Sequence, residues 1–197
     1  MRMSRSSSVF ARLQLLPGNI DSNGLIGTTN QSHGEAAMKP RIDYMKAAPE
    51  MMSAMLQLSG YLHKSELDEN LVNLVCLRAS QINGCAYCLD MHWKDLRVAG
   101  EQEQRLYGLD AWDESPYYSD RERAALEWTE AVTNLHHGHV PDETYDHVSK
   151  FFNEKEMADL TFAITMINAW NRLNIAGRTV PGSYKPGQFR ESRRSAA

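Results

Sequence analysis

Two thiols and an imidazole form the part of this sequence best suited to chemistry. Cys85, Cys88 and His92 follow one another at intervals of three and four residues. At about 3.6 residues per turn, a helix with these intervals presents all three side chains on one face, where they can share a small site. There His92 can take the proton of Cys88, directly or through a water. The spacing predicts a redox-active dithiol with its own base.

The residues just before this segment are typical of a helix start. Asn83 and Gly84 precede Cys85, and either Asn83 or Ser80 is expected to be the N-cap. Cys85 is then predicted to lie in the first turn. Backbone N–H groups and the positive end of the helix dipole stabilise a thiolate there.

Two simpler interpretations of the C-x-x-C pair remain open. Free cysteines pack well in cores, so Cys85 and Cys88 could be buried small hydrophobes. They could also bind zinc together with His92 and a water. Against zinc, no second C-x-x-C follows, and three ligands from two turns of one helix form a tetrahedron with difficulty. Because the chain also has no flavin or nucleotide motif, we expect no metal and no dissociable cofactor.

The remaining cysteine and a histidine-rich stretch have simpler explanations. Cys76 lies in an apolar helical segment and is predicted to be a core residue. His136, His137 and His139 could attract a metal, but a polar surface loop is the commoner explanation for such a stretch.

Composition excludes several classes of protein. The 197 residues include 21 basic and 25 acidic side chains, for a net charge of −4, which gives no electrostatic footprint for nucleic acid. No apolar run approaches the roughly 18 residues of a membrane span. Three cysteines are too few for a secreted disulfide framework, so a reducing compartment, the cytoplasm, is predicted.

Residues 1–37 differ from the rest of the chain. They are rich in Ser, Asn and Gly, and they hold Arg2, Arg5 and Arg12 but no acidic residue before Asp21. This pattern is typical of a mitochondrial transit segment, which would change the predicted location. The alternative is a disordered extension, or an upstream start on a protein that begins at Met38.

From residue 40 onward helical signals dominate, and six or seven helices with short connections predict an all-α bundle. Ser119 with Glu122 forms a capping box, and Asn153 with Glu156 forms another cap pair. The last long helix is expected to end near Gly177. Its apolar side chains extend beyond one stripe, at Phe162, Met166 and Trp170, and this surplus predicts a homo-oligomer.

Residues 78–92 resemble the core motif of the alkylhydroperoxidase D (AhpD)-like branch of the carboxymuconolactone decarboxylase family. The resemblance spans about residues 38–186, which gives the predicted domain, with an irregular tail at 187–197. Further matching pieces are residues 105–107, 118–126, 137–141 and 167–174. The resemblance implies an all-helical fold, assembly into trimers or hexamers, and thiol peroxidase activity.

The resemblance also implies a role for each residue of the motif. Cys88 would attack the peroxide, Cys85 would resolve the product, and His92 would relay protons. Electrostatics at the helix start alone would have favoured Cys85 as the nucleophile. The substrate would be a hydroperoxide, and the reductant a lipoyl protein or a thioredoxin-like dithiol.

Two positions depart from the family pattern. The family relay often includes a Glu twelve residues before the first Cys, where this chain has Asn73. Glu69, one turn earlier, could substitute if it points inward. Well-known peroxidase members also have a His before the second Cys, where this chain has Tyr87.

Because of these departures, other functions stay open. A general dithiol–disulfide oxidoreductase or a peroxide sensor fits the same residues. A decarboxylase acting on a lactone is a further alternative, although that branch does not depend on a C-x-x-C pair. The last is a non-catalytic oligomeric binding protein with inert thiols.

Overall fold

The structure, a computed structural model, describes residues 39–62, 64–135 and 138–189. This part of the chain contains eight α-helices and one short 3-10 turn, and no β-strand. The helices are α1 (Tyr44–Ala47), α2 (Pro49–Leu62), α3 (Glu69–Asn83), α4 (Ala86–Val98), α5 (Glu103–Tyr107), α6 (Asp120–Thr133), α7 (Asp142–Val148) and α8 (Glu154–Gly177), with the 3-10 turn at Leu109–Ala111.

The all-α prediction is confirmed, and the short helices α1 and α5 raise the number of helices above the predicted six to seven. The extension at residues 1–37 and the tail after residue 189 lie outside the described residues. The domain boundaries placed there stay predictions.

The sequence signals at the ends of the long helices are confirmed. Ser119 and Glu122 form both hydrogen bonds of a capping box at the start of α6. Asn153 and Glu156 do the same for α8, which ends at Gly177 as predicted. Each box provides partners for backbone N–H groups that have none within the first turn.

The predicted start of the cysteine helix is wrong. Asn83 is the last residue of α3, and Gly84 ends that helix in the left-handed conformation with φ of 69°. Cys85 is the N-cap of α4 and makes no side-chain capping bond. An Asn-Gly pair can end a helix as well as precede one, because glycine adopts positive φ without steric cost. Cys85 therefore lies before the first turn, and Cys88 is the third residue of α4.

Helix α3 lies at the centre of the fold and packs against α4, α6 and α8. Its Val75 and Ala79 are fully buried against α8 residues such as Leu160 and Ile164. Cys76 belongs to the same cluster and is 1% exposed, which confirms its prediction as a core residue. Burial of each large aliphatic side chain stabilises the fold by about 1.5–3 kcal/mol.

A second apolar cluster explains the short helix α5. Leu106 of α5 is buried with residues of α3, α4, α6 and the 3-10 turn. Arg105 pairs with Glu101 and Glu122 beside it, and its guanidinium lies over the Tyr118 ring. This short helix depends on tertiary packing, because its local sequence has little amphipathic pattern.

The surplus apolar residues of α8 have different environments. Met166 and Trp170 line a cavity in the interior, whereas Phe162 is 55% exposed. Part of the surplus therefore covers the cavity, and the homo-oligomer stays a prediction. Among the described helices, none is both long enough and apolar enough to cross a membrane.

Candidate active site

The two cysteines of the motif meet at the junction of α3 and α4. Their sulfurs are in disulfide contact, and their Cα atoms are 5.4 Å apart. That Cα separation is ordinary for a disulfide. Each cysteine is 1% exposed. The junction thus brings together the two thiols that a C-x-x-C redox pair requires.

Because α4 starts at Ala86, its electrostatics act on Cys88. Cys88 lies in the first turn, where the N–H groups of Ala86, Tyr87 and Cys88 have no carbonyl partner within the helix. The partial positive charge at this end favours the thiolate form of a nearby cysteine. The expectation that helix-start electrostatics favour Cys85 assumed a first-turn position, which Cys88 occupies instead.

His92 lies one turn after Cys88 on α4 and is buried, with 7% exposure. Its Nδ1 is 3.1 Å from Oδ1 of Asn73 on α3. An amide oxygen only accepts hydrogen bonds, so in the neutral ring Nδ1 carries the proton and Nε2 carries the lone pair. Asn73 thereby fixes the tautomer of His92. Its neutral amide cannot itself take up a proton, as a carboxylate in a relay would.

The second candidate relay residue is placed elsewhere. Glu69 is the first residue of α3, and its side chain is exposed. The inward orientation that a relay role requires is not found. Asn73, the other predicted polar partner, does contact His92.

Tyr87 occupies the position where the resemblance implies a histidine in well-known peroxidase members. Burial, and then the nearby Asp90 carboxylate, raise the pKa of Tyr87 above the ordinary phenol value. Tyr87 is therefore a neutral phenol near pH 7 and does not act as a base. Asp90 itself accepts hydrogen bonds from Lys94 Nζ at 2.8 Å and from the Gly182 N–H at 3.0 Å.

A cavity of about 360 Å³ lies beside the cysteine pair. This volume is within the range of small-molecule sites. Cys88 and His92 are among the described residues that line it, and Cys85 is not. Most of the wall is apolar; it includes Ile42, Tyr44, Met45, Met52, Leu56, Met91, Met166, Ile167, Trp170, Leu173 and Phe189.

One wall of the cavity is the segment of residues 40–45, called here the cap segment. The Arg41 and Ile42 N–H groups donate to the carbonyl oxygen of Gly177, at 2.7 and 3.5 Å. A Cβ atom on Gly177 would lie only 2.8 Å from Cε2 of Tyr44. The missing side chain at Gly177 therefore lets the cap segment pack against the end of α8.

The sequence analysis missed a set of polar residues outside the cavity lining, between the α3–α4 junction and α8. Asn83 donates to Asn168 Oδ1 at 2.9 Å and to Asn171 Oδ1 at 2.8 Å. Asn171, fully buried, donates to Ser80 Oγ at 3.0 Å. These four residues, the asparagine network, tie the α3–α4 junction to α8. Their signal in the sequence was the series of asparagines at intervals of three that Asn174 completes.

Asn174 contacts the cysteine pair itself. Its Nδ2 donates to Cys88 Sγ at 3.5 Å and to the carbonyl oxygen of Trp170 at 3.0 Å. It also lines the cavity.

In the part of the chain that the structure describes, no three His, Cys, Asp or Glu side chains are grouped so that they could hold a metal ion. His139 is exposed. His136 and His137 of the same predicted loop lie outside the described residues.

Comparison with known proteins agrees with this fold and motif. The sequence model of the carboxymuconolactone decarboxylase family matches residues 49–131. The uncharacterized protein YdfG of Bacillus subtilis is 43% identical over 139 residues, which cover 71% of this chain and 95% of YdfG.

Two solved structures have the same fold. One is a protein of unknown function from Agrobacterium tumefaciens, whose suggested role is that of the antioxidant defence protein AhpD. It is 40% identical with a TM-score of 0.71, and the match covers 74% of this chain and all of that one. The other, an uncharacterized peroxidase-related protein from Silicibacter, is 22% identical with a TM-score of 0.64, over 80% and 84% of the two chains. With its C-x-x-C helix and all-α fold, the chain belongs to the AhpD-like branch of the carboxymuconolactone decarboxylase family.

Proposed function

We propose that this protein is a thiol-dependent hydroperoxide reductase in which Cys88 attacks the peroxide. The observation that carries the proposal is the cavity, whose described lining includes Cys88 and His92 but not Cys85. A substrate in the cavity therefore meets one sulfur and the imidazole together. Family membership adds support, since its relatives include peroxidase-related proteins.

The oxidative half-reaction uses only residues of the site. Nε2 of His92 accepts the proton of Cys88, and the thiolate attacks the terminal oxygen of the hydroperoxide. The S–O bond forms as the O–O bond breaks, and the alkoxide leaves with the proton from His92 as an alcohol. Cys85 then attacks the sulfenic acid of Cys88, which releases water and forms the Cys85–Cys88 disulfide.

An external dithiol, such as a lipoyl protein or a thioredoxin-like protein, restores the reduced enzyme. One of its thiolates attacks the Cys88 sulfur, which is the sulfur on the cavity side, and Cys85 leaves as a thiol after protonation. The second thiol of the reductant then displaces Cys88, and the reductant departs as a disulfide. Two electrons pass from reductant to peroxide in each cycle.

The walls of the cavity favour an organic hydroperoxide over hydrogen peroxide. Apolar side chains such as Met52, Leu56 and Ile167 surround the approach to Cys88. Burial of apolar substrate surface there contributes about 25 cal/mol per Å². Hydrogen peroxide has no apolar surface and gains none of this free energy.

The test is peroxide consumption by the reduced protein in the presence of a dithiol such as dihydrolipoamide. We expect turnover in wild type, and none in Cys88→Ser or Cys85→Ser. Cys76→Ser is the matched control, since Cys76 is a core cysteine outside the cavity lining, and it should keep activity. A Cys88→Ser protein that consumes peroxide at the wild-type rate would contradict the assigned roles.

A general dithiol–disulfide oxidoreductase or a peroxide sensor is the second candidate. It is favoured by the neutral side chains Asn73 and Tyr87, which replace the family's proton-transferring groups. Faster reaction of the reduced protein with a small disulfide than with cumene hydroperoxide would favour this second candidate.

The decarboxylase alternative requires decarboxylase activity in a Cys85→Ser, Cys88→Ser double variant. Thiols that fail to react with a small disulfide near neutral pH would instead indicate a binding protein.

Assembly and location complete the proposal. A trimer or hexamer in the cytoplasm is what the family and the composition favour. Light scattering after size-exclusion chromatography measures the number of subunits, and fractionation of cells measures the location.

A further inference from the structure

Helix α8 presents three asparagines toward the cysteine site, and they do different things. Asn168 and Asn171 contact polar side chains of the α3–α4 junction. Asn174, one further interval of three along the helix, contacts the sulfur of Cys88. The first two therefore hold the backbone around the site, while Asn174 acts on the atom that reacts.

The orientation of the Asn174 amide is fixed by its second contact. Nδ2 donates to the carbonyl oxygen of Trp170 at 3.0 Å. A carbonyl oxygen accepts hydrogen bonds and cannot donate, so the NH₂ group, and not Oδ1, must face it. The same NH₂ group, which has a second hydrogen to donate, is 3.5 Å from Cys88 Sγ, a sulfur in disulfide contact with Cys85 in this structure.

Because Cys88 is buried, a hydrogen-bond donor to its sulfur affects the stability of the thiolate. Cys88 is 1% exposed and lies against apolar walls that include Met166 and Ile167. A buried thiolate loses its hydration, so burial alone disfavours the charged form. The groups around Cys88 that favour it are the start of α4, the imidazole of His92, and the amide of Asn174.

We propose that Asn174 is a catalytic residue, whose side-chain amide donates a hydrogen bond to the Cys88 sulfur and stabilises its thiolate before attack on the peroxide. The catalytic meaning of this contact rests on the function proposed above. The same bond stabilises Cys88 as the leaving thiolate when the reductant's second thiol displaces it. No new reactant is needed, because the amide neither gains nor loses a proton.

The test measures the thiol directly and uses no peroxide. In a Cys76→Ser, Cys85→Ser background, Cys88 is the single thiol, and its rate of alkylation by iodoacetamide is followed against pH. Asn174→Leu keeps the approximate volume and removes the donor. We expect it to raise the alkylation pKa of Cys88 by about one pH unit, the size of a lost charge-assisted hydrogen bond. Asn174→Asp, which adds a negative charge at the same place, should raise it further.

The shape of the pH profile separates a donor from a structural role. A thiol with a higher pKa forms less thiolate, but that thiolate is more nucleophilic, with a Brønsted coefficient of about 0.4–0.5. For a rise of one pH unit, Asn174→Leu should react about threefold more slowly than the parent well below both pKa values and about threefold faster well above them. Distortion of the site would lower the rate at every pH and produce no crossing.

Asn168→Leu is the matched control on α8. Although Asn168 lies about 120° around the helix from Asn174, its side chain contacts Asn83, Thr133 and the Ile164 carbonyl oxygen and no sulfur, so the substitution should lower stability and leave the alkylation pKa unchanged. Parent and Asn174→Leu profiles that coincide would overturn the proposal. If Asn174→Leu does not fold, coincident profiles for parent and Asn174→Asp would overturn it equally.

The outcomes distinguish this inference from the proposed function. A raised pKa in a protein that consumes no peroxide would refute the peroxidase proposal and leave Asn174 as a thiolate donor. Normal peroxide turnover with an unchanged pKa in Asn174→Leu would refute the role of Asn174 alone.

Discussion

The surroundings of the cysteine pair differ sharply between two sides. On the polar side, amide and hydroxyl groups of Asn73, Ser80, Asn83, Asn168 and Asn171 hydrogen-bond to one another or to His92. On the cavity side, apolar side chains and the cap segment enclose a space of about 360 Å³. In the proposed function, the polar side positions the reactive groups and the cavity side selects the molecules that reach them.

The two sides also differ in how they respond to change. A buried polar group that loses its partner costs about 1–3 kcal/mol, so the network is stable only when it is complete. Apolar walls have no directional bonds, and a change of shape there is absorbed by repacking. Substitutions on the polar side should therefore impair the reaction with every substrate, whereas substitutions on the cavity side should discriminate between substrates.

The largest effect is expected on the polar side, at Asn171. Asn171→Leu removes the donor to Ser80 Oγ and one acceptor of Asn83 inside the core. We expect the free energy of unfolding to fall by about 3 kcal/mol. Urea denaturation measures it, with Asn70→Leu as the control because Asn70 is exposed on α3. Equal stability of the two variants would show that the network does not hold the junction.

Asn73 comes next, because it acts on the base. Asn73→Leu removes the acceptor of the His92 Nδ1 proton, so the ring can turn or change tautomer. We expect kcat/KM to fall about thirtyfold for all hydroperoxides, a large part of what a positioned base contributes. Stopped-flow oxidation measures kcat/KM with cumene hydroperoxide and, separately, with hydrogen peroxide. A loss with only one of the two peroxides would show that Asn73 affects which substrate reacts and does not position the base.

On the cavity side, Leu56→Trp should act on one class of substrate. Leu56 lines the cavity from α2, and the larger indole fills part of its space. We expect kcat/KM for cumene hydroperoxide to fall about tenfold through lost apolar contact and steric exclusion, with hydrogen peroxide nearly unchanged. Equal losses for both peroxides would mean that the cavity is not the substrate route.

The smallest effect is expected at Gly177. Gly177→Ala places a Cβ atom 2.8 Å from Tyr44 Cε2, so the Tyr44 ring and the cap segment must shift. We expect a cost of about 1 kcal/mol, at the low end for overpacking, because the ring can move. Thermal unfolding detects the cost, and an unchanged melting temperature would show that the cap segment is not packed tightly on α8.

What could be predicted from the sequence was local. The intervals between Cys85, Cys88 and His92 and the two capping boxes each lie within a few residues, so helical geometry alone relates them. The boundary at Gly84 was misplaced because an Asn-Gly pair serves either end of a helix, and only the packing of α3 against α4 decides between them.

What could not be predicted was set by distant contacts. Asn171 meets Ser80 across 91 residues of sequence, and Asn174 meets Cys88 across 86. The cap segment reaches Gly177 through backbone N–H groups that any residue would supply. Helix α5 depends on the burial of Leu106, which needs the neighbouring helices in place. The asparagines at intervals of three do not indicate which residues they meet, and the other contacts leave no period in the sequence.

The most direct test of the central claim is the intact mass of the reduced protein after one equivalent of organic hydroperoxide. Wild type should lose the mass of two hydrogen atoms as the Cys85–Cys88 disulfide forms. Cys85→Ser should gain one oxygen atom at Cys88, and Cys88→Ser should keep its mass. A Cys88→Ser protein that is oxidised as readily as wild type, or a wild type whose mass does not change, would contradict the account.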